Sequence, residues 1–137
     1  MVKILLDSDI ILDFFFDRAP YSENTAKILS LCENNQIEAY VTPVTISNVY
    51  YLLRKTAPHN QVMSHLRLLM SMIHVLEVSK DAIITAIDSS FKDFEDALQN
   101  YAAESTKKID IIITRNVKDY RKSALSVQTP DVFLKTI

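Results

Sequence analysis

The 137-residue chain is 48% hydrophobic and 23% charged with a formal net charge of −2, which supplies one core for a single domain over residues 1–137 and no global positive excess to attract nucleic acid. It contains no glycine and a single cysteine, Cys32. The first excludes P-loop and dinucleotide-binding cradles, whose backbones need glycine to approach phosphate; the second excludes an internal disulfide or a thiolate metal cluster and fits a reducing cytoplasm.

Val2 to Leu6 reads as a short buried strand, and the apolar start is interrupted by Asp7, Asp9 and Asp13, which marks it as structure and not as a signal or membrane segment. Ile10 to Phe16 has helical apolar spacing with Asp9 as the expected N-cap, and Arg18-Ala19-Pro20 closes it. Ser22 to Asn34 predicts a second helix and Glu38 to Thr42 a second strand. Pro43 suits the first turn of a helix that runs toward Arg54-Lys55 and stops before Pro58. Asn60 to Ile73 predicts an amphipathic helix, His74 to Val78 a third strand, and Lys80 to Ser89 and Asp93 to Ser105 two further helices. Ile111 to Thr114 is the fourth strand, Ser126 to Gln128 a short fifth, and Thr129-Pro130-Asp131 opens a terminal helix. This alternation predicts an α/β fold: a three-layer α/β/α sandwich around a central, mainly parallel sheet of four to five strands, with sites at the carboxyl ends of the strands. Without glycine, the turns must rest on Asn, Asp, Ser and Pro.

That topology sorts the polar residues. Crossover helices run antiparallel to the strands, so helix starts and strand ends share one edge. Asp7, Asp9, Asn48, Asp93, Glu95, Asp96, Asn116 and Asp119 fall on that edge; Asp110 precedes its strand and falls at the other, and Asp13 and Asp17 are left outside the site. Asp9 and Asp93 read first as helix caps. Asp7 reads otherwise, because it ends a buried run where an unpaired carboxylate is costly and neighbouring acids push one another toward protonation. A divalent cation resolves the conflict: carboxylate oxygens and water suit Mg²⁺ or Mn²⁺, and such an ion can activate water against a phosphodiester. Arg115, Lys118, Arg121 and Lys122, with Arg54 and Lys55 a helix away, predict a locally basic rim, of which Arg115 and Lys118 are the expected substrate-binding residues. Tyr50, Tyr51 and Tyr120 read as core or interface residues. His59, His65 and His74 share no ligand spacing, and Met63, Met70 and Met72 read as a packed or dimer-facing surface.

The segments LLDSDIILDFFFDRAPYSENTAKILSL, DFEDALQNYAAESTKKIDIIITRNVKDY and VQTPDVFL resemble the PIN-domain family of metal-dependent ribonucleases over nearly the whole chain. The resemblance implies a metal-dependent endoribonuclease that hydrolyses RNA phosphodiester bonds, with Asp7, Asp96 and Asp119 as ligands to Mg²⁺ or Mn²⁺. It makes Asn116 a fourth catalytic residue and gives Glu95, Asp93, Asn48 and Thr114 supporting roles. Small members are often VapC-type toxins, which implies an antitoxin protein and a homodimer as partners beside the RNA substrate. Two departures stand out: Asn116 occupies a position that is Asp in many members, and Asn48 one that is often Glu. Fewer carboxylates imply one tightly held ion in place of two. The alternatives are a catalytically impaired PIN-like domain that binds RNA or protein, and a haloacid dehalogenase-like phosphatase with Asp7 as nucleophile and Asp9 as acid. Against the latter stands the lack of a later glycine-flanked acid pair.

Overall fold

Apolar residues alternate between two buried faces along the inner strands, and this sets the layers. The computed structural model describes residues 1–137 and contains β1 (Lys3–Leu6), β2 (Glu38–Val41), β3 (His74–Val75), β4 (Ile111–Ile113) and β5 (Ser126–Gln128). They form one sheet in the order β3-β2-β1-β4-β5, with every neighbouring pair parallel. Seven helices connect or cover it: α1 (Ser8–Phe15), α2 (Tyr21–Glu33), α3 (Pro43–Arg54), α4 (His59–Met70), α5 (Lys80–Asp88), α6 (Phe94–Thr106) and α7 (Pro130–Leu134). Ile4, Leu6, Ala39, Val41 and Ile113 join the larger core with Ile10, Ile28, Val49, Val62 and Phe133 of the helices on one face. Leu5 and Ile112 point the other way, onto Ala102 and Ala103 of α6 and Tyr120. The expected three-layer α/β/α sandwich is present, and its sheet is parallel throughout. No helix is long and apolar enough to cross a membrane.

Several boundaries differ from the sequence reading. α1 starts two residues before Ile10, with Asp7 and not Asp9 as its N-cap; the Asp7 carboxylate accepts the Ser8 N–H at 2.8 Å. Apolar periodicity registers only where the buried face begins, so it cannot detect a first turn built from Ser8 and Asp9. β3 has two residues in place of five. After the Leu76 N–H bonds the Val41 carbonyl at 2.8 Å, the chain leaves the sheet and Ser79 caps α5. α4 runs His59–Met70, stopping short of Ile73. A 3-10 turn at Val117–Tyr120 follows β4 and carries Lys118 and Asp119. Positive φ angles fall on Asp17 (50°), Asn35 (57°) and Lys107 (58°). The first two are the Asp and Asn expected of a glycine-free chain, whereas Lys107 has no side chain suited to that region.

Two backbone bonds bring the strand ends into one row. The Asp7 N–H donates to the Ile113 carbonyl at 3.0 Å and the Thr114 N–H to the Gln128 carbonyl at 3.1 Å. Asp110 lies at the opposite edge, where its carboxylate accepts the Lys3 N–H at 2.9 Å.

Candidate active site at the carboxyl edge of the sheet

Asp7 is only 8% exposed, and donors hold both of its oxygens. Oδ1 accepts the Ser8 N–H at 2.8 Å and Gln99 Nε2 at 2.8 Å; Oδ2 accepts Thr114 Oγ1 at 2.9 Å. Three donors fix the orientation of the carboxylate. Gln99 is itself fully buried. Its Oε1 accepts the Thr45 hydroxyl at 2.8 Å, and its Nε2 also lies 3.3 Å from the Tyr120 oxygen. The Tyr120 hydroxyl in turn donates to Asp96 Oδ1 at 3.2 Å. Gln99 and Tyr120 therefore bridge Asp7 to Asp96.

Helical spacing explains why α6 can supply this side of the site. Gln99 lies one turn beyond the adjacent Glu95 and Asp96, which puts it on the face they share. Asp93 stands before them as the N-cap, accepting the Asp96 N–H at 3.0 Å. Glu95 Oε1 accepts Ser8 Oγ at 3.0 Å and Asn48 Nδ2 at 3.3 Å, which ties Asn48 of α3 to the same acidic group. On the β4 side, Asp9 Oδ2 accepts the Arg115 N–H at 3.0 Å and Asn116 Nδ2 at 3.3 Å, while its Oδ1 is buried with no partner. Asn116 caps the 3-10 turn.

The acids perturb one another. Burial, then Asp7 and Asp93, push the Asp96 carboxyl up to about 7. Burial, then Asp7, raise Asp9 to about 6 against the opposing Arg115 N–H. Glu95 moves up for the same reasons, burial first and then the charges of Asp7 and Asp93, although bonds from Ser8 and Asn48 oppose the shift. Beside this group opens a cleft of ≈ 540 Å³, lined by Asp93, Asp96 and Asp119 together with Lys92, Lys118, Arg121 and Lys122. Arg115 does not face that cleft: its guanidinium pairs with Asp13 and lies over the Tyr21 ring, 4.0 Å from the centroid.

The sequence and the parallel fold both match known proteins. The family model of the PIN domain matches residues 3–118. The chain belongs to the PIN domain family. It is 24% identical over 136 residues to ribonuclease VapC1 of Aquifex aeolicus, covering 96% of this chain and 92% of that protein. Its fold is similar to that of VapBC2 from Rickettsia felis, solved bound to a promoter DNA fragment, with a TM-score of 0.71 at 14% identity over 93% of this chain and 98% of that one. It is also similar to Mycobacterium tuberculosis VapC20, described as a sarcin-ricin loop cleaving toxin. There the TM-score is 0.61 at 14% identity, over 80% of this chain and 86% of that one.

In this PIN domain no three His, Cys, Asp or Glu side chains converge into a ready cage for an ion. A hard divalent cation does not need one, because Mg²⁺ keeps several waters and binds through one or two carboxylates. Asp7 and Asp96 are linked through Gln99 and Tyr120, and the unpartnered Asp9 Oδ1 is a third oxygen at the same edge. The donor set therefore fits Mg²⁺ or Mn²⁺. The histidines are engaged elsewhere: His59 bonds Tyr50, His65 stacks on Phe15 and His74 packs on Tyr40.

Of the residues predicted for the site, the fold gathers Asp7, Asp96, Glu95, Asn48 and Thr114 into one bonded group and joins Asn116 to it through Asp9. Asp93, Lys118 and Asp119 stand along the adjoining cleft. Sequence reasoning does not single out Gln99, Ser8 or Thr45, and it reads Tyr120 as a core or interface residue. Gln99 carried a readable signal, since it lies three residues beyond Asp96 on the same helix face. The sequence places Asp13 outside the site; the structure buries it completely against Arg115.

Proposed function

We propose that this PIN domain is a VapC-type endoribonuclease that hydrolyses RNA phosphodiester bonds with one Mg²⁺ or Mn²⁺ ion, acts in the cytoplasm and is restrained by an antitoxin. The observation that carries this reading is the Asp7–Gln99–Tyr120–Asp96 chain at the strand edge, which opens onto a cleft with four basic side chains. A divalent ion held by Asp7 and Asp96 would supply water activation and charge neutralisation at the phosphate. Gln99 and Thr114 hold the Asp7 oxygens in place, and the Tyr120 hydroxyl orients Asp96. Asp119 adds a carboxylate from the cleft side, and Asn116 presents its carboxamide beside Asp9. Lys118, Arg121 and Lys122 draw the RNA backbone into the cleft and set it against the acids.

Relatives named as VapC ribonuclease and VapBC complex support the antitoxin partner. Tyr51 of α3 and Leu68 and Met70 of α4 are exposed apolar side chains that a protein contact could cover; a homodimer belongs to the same reading. Cleavage of a mixed single-stranded RNA pool with Mn²⁺, with Mg²⁺ and with EDTA, run beside Asp7→Asn and Asp96→Asn, tests the proposal. Metal-dependent cutting that both substitutions abolish is the expected result. A folded wild-type protein that neither cuts RNA nor binds Mn²⁺ would leave a binding module in place of an enzyme.

A further inference from the structure

One ion pair at this edge, with a fully buried carboxylate, has no part in the chemistry above. Asp13, in the second turn of α1, has 0% exposure. Arg115, just past β4, meets it with a two-pronged bond: Nε donates to Oδ2 at 2.7 Å and Nη2 to Oδ1 at 3.0 Å. Arg18 adds a third donor to Oδ1 at 3.2 Å, and the Tyr21 ring backs the guanidinium.

The same short segment carries the contacts on which the site depends. Thr114 donates to Asp7 Oδ2, the Arg115 N–H donates to Asp9 Oδ2, and Asn116 caps the turn that leads to Asp119 and Tyr120. Tyr120 then reaches Asp96. A guanidinium fork fits a carboxylate in one planar geometry, so locking Arg115 onto Asp13 fixes how this segment sits against α1. Such a pair contributes little net stability, because desolvation of the buried carboxylate offsets much of its attraction to a guanidinium that stays partly exposed. Its effect here is geometric.

We propose that Asp13 and Arg115 are a positioning pair for the reaction. They hold the Thr114–Tyr120 segment in the one register that aims Thr114 at Asp7 and Tyr120 at Asp96, and Arg115 makes no contact with the RNA. This deepens the ribonuclease reading and rests on it.

Arg115→Lys separates a positioning role from a phosphate contact, since lysine keeps the charge but cannot make the fork. Asp13→Asn perturbs the same pair from a side chain that RNA cannot reach. The two single variants and the double variant are compared with the wild type in kcat and KM on an RNA oligonucleotide, in Mn²⁺ affinity by calorimetry, and in thermal unfolding. Each single substitution is expected to lower kcat and Mn²⁺ affinity by about tenfold or more, as loss of a supporting shell does, with KM within about twofold. The double variant should lose no more than the worse single. If Asp13→Asn does not fold, Arg115→Lys and Tyr21→Leu carry the same comparison. Wild-type kcat and Mn²⁺ affinity in Arg115→Lys, or a raised KM at constant kcat, overturns the pair. If the wild type does not cleave RNA, the ribonuclease reading fails separately, and Mn²⁺ affinity unchanged by these substitutions still overturns the positioning role.

Discussion

The Asp7 carboxylate accepts three hydrogen bonds, most of which an asparagine of the same shape can keep, so this replacement probes the chemistry more than the fold. Asp7→Asn keeps one oxygen as acceptor, and the Thr114 hydroxyl can turn to accept from the new amide. We expect cleavage to fall by about a thousandfold or more, as it does when a main catalytic group is removed, while stability measured by urea denaturation changes by about 1–2 kcal/mol. Residual cleavage near the wild-type rate would take Asp7 out of the mechanism. Gln99 gives the opposite pattern. Gln99→Leu is close in volume but strands the Thr45 hydroxyl and removes a donor from Asp7, so it should destabilise the fold by about 1–3 kcal/mol. It should also weaken Mn²⁺ binding by about 10–100-fold. Thermal unfolding together with a Mn²⁺ titration checks both, and an unmoved Tm would show that this buried relay contributes nothing.

Element boundaries were legible where a cap coincides with the start of an apolar face. Asp93 before α6 and the Thr42-Pro43 start of α3 are such cases. They were not legible where a residue serves two elements. Asp7 both follows β1 and caps α1, so spacing alone placed the cap at Asp9. β3 is shorter than its apolar pattern predicts because Leu76 and Val78 are buried or half-buried without being strand, packing under α5 and α6 instead. The end of α6 carries a cost that the sequence advertises only through its lack of glycine. Lys107 closes this helix at φ 58°, where a Cβ crowds the neighbouring carbonyl. Lys107→Gly should raise unfolding stability by about 0.5–1 kcal/mol, the balance between relief of that strain and the added freedom of the unfolded chain. Denaturant midpoints at unchanged m-value measure it, and a lowered midpoint would mean that Lys107 is not strained.

At the scale of the whole molecule, the edge that collects the acids could be read from strand and helix alternation, because a parallel sheet puts every strand end and following helix start on one side. The pairings across that edge could not. Gln99 and Asp7 are 92 residues apart and Arg115 and Asp13 are 102 apart, and each contact depends on how a helix is rotated about its own axis. That rotation is decided by core packing, which no local pattern records. The same separation gives the proposed metal site a thermodynamic signature. Asp7 follows β1, Asp96 opens α6 and Asp119 follows β4, so only folding brings these carboxylates to one edge, and an ion bound there would stabilise the native state against an unfolded chain in which they lie far apart. At a hundredfold excess over its dissociation constant, Mn²⁺ should add about 2.7 kcal/mol of stability, which EDTA removes. Asp96→Asn should abolish most of that gain, whereas Lys107→Gly, far from the acids, should leave it intact while shifting the baseline. Scanning calorimetry across a Mn²⁺ series distinguishes the cases. A wild-type Tm that does not move with Mn²⁺ would show that the acids at this edge hold no ion, and the nuclease reading would lose its chemical basis.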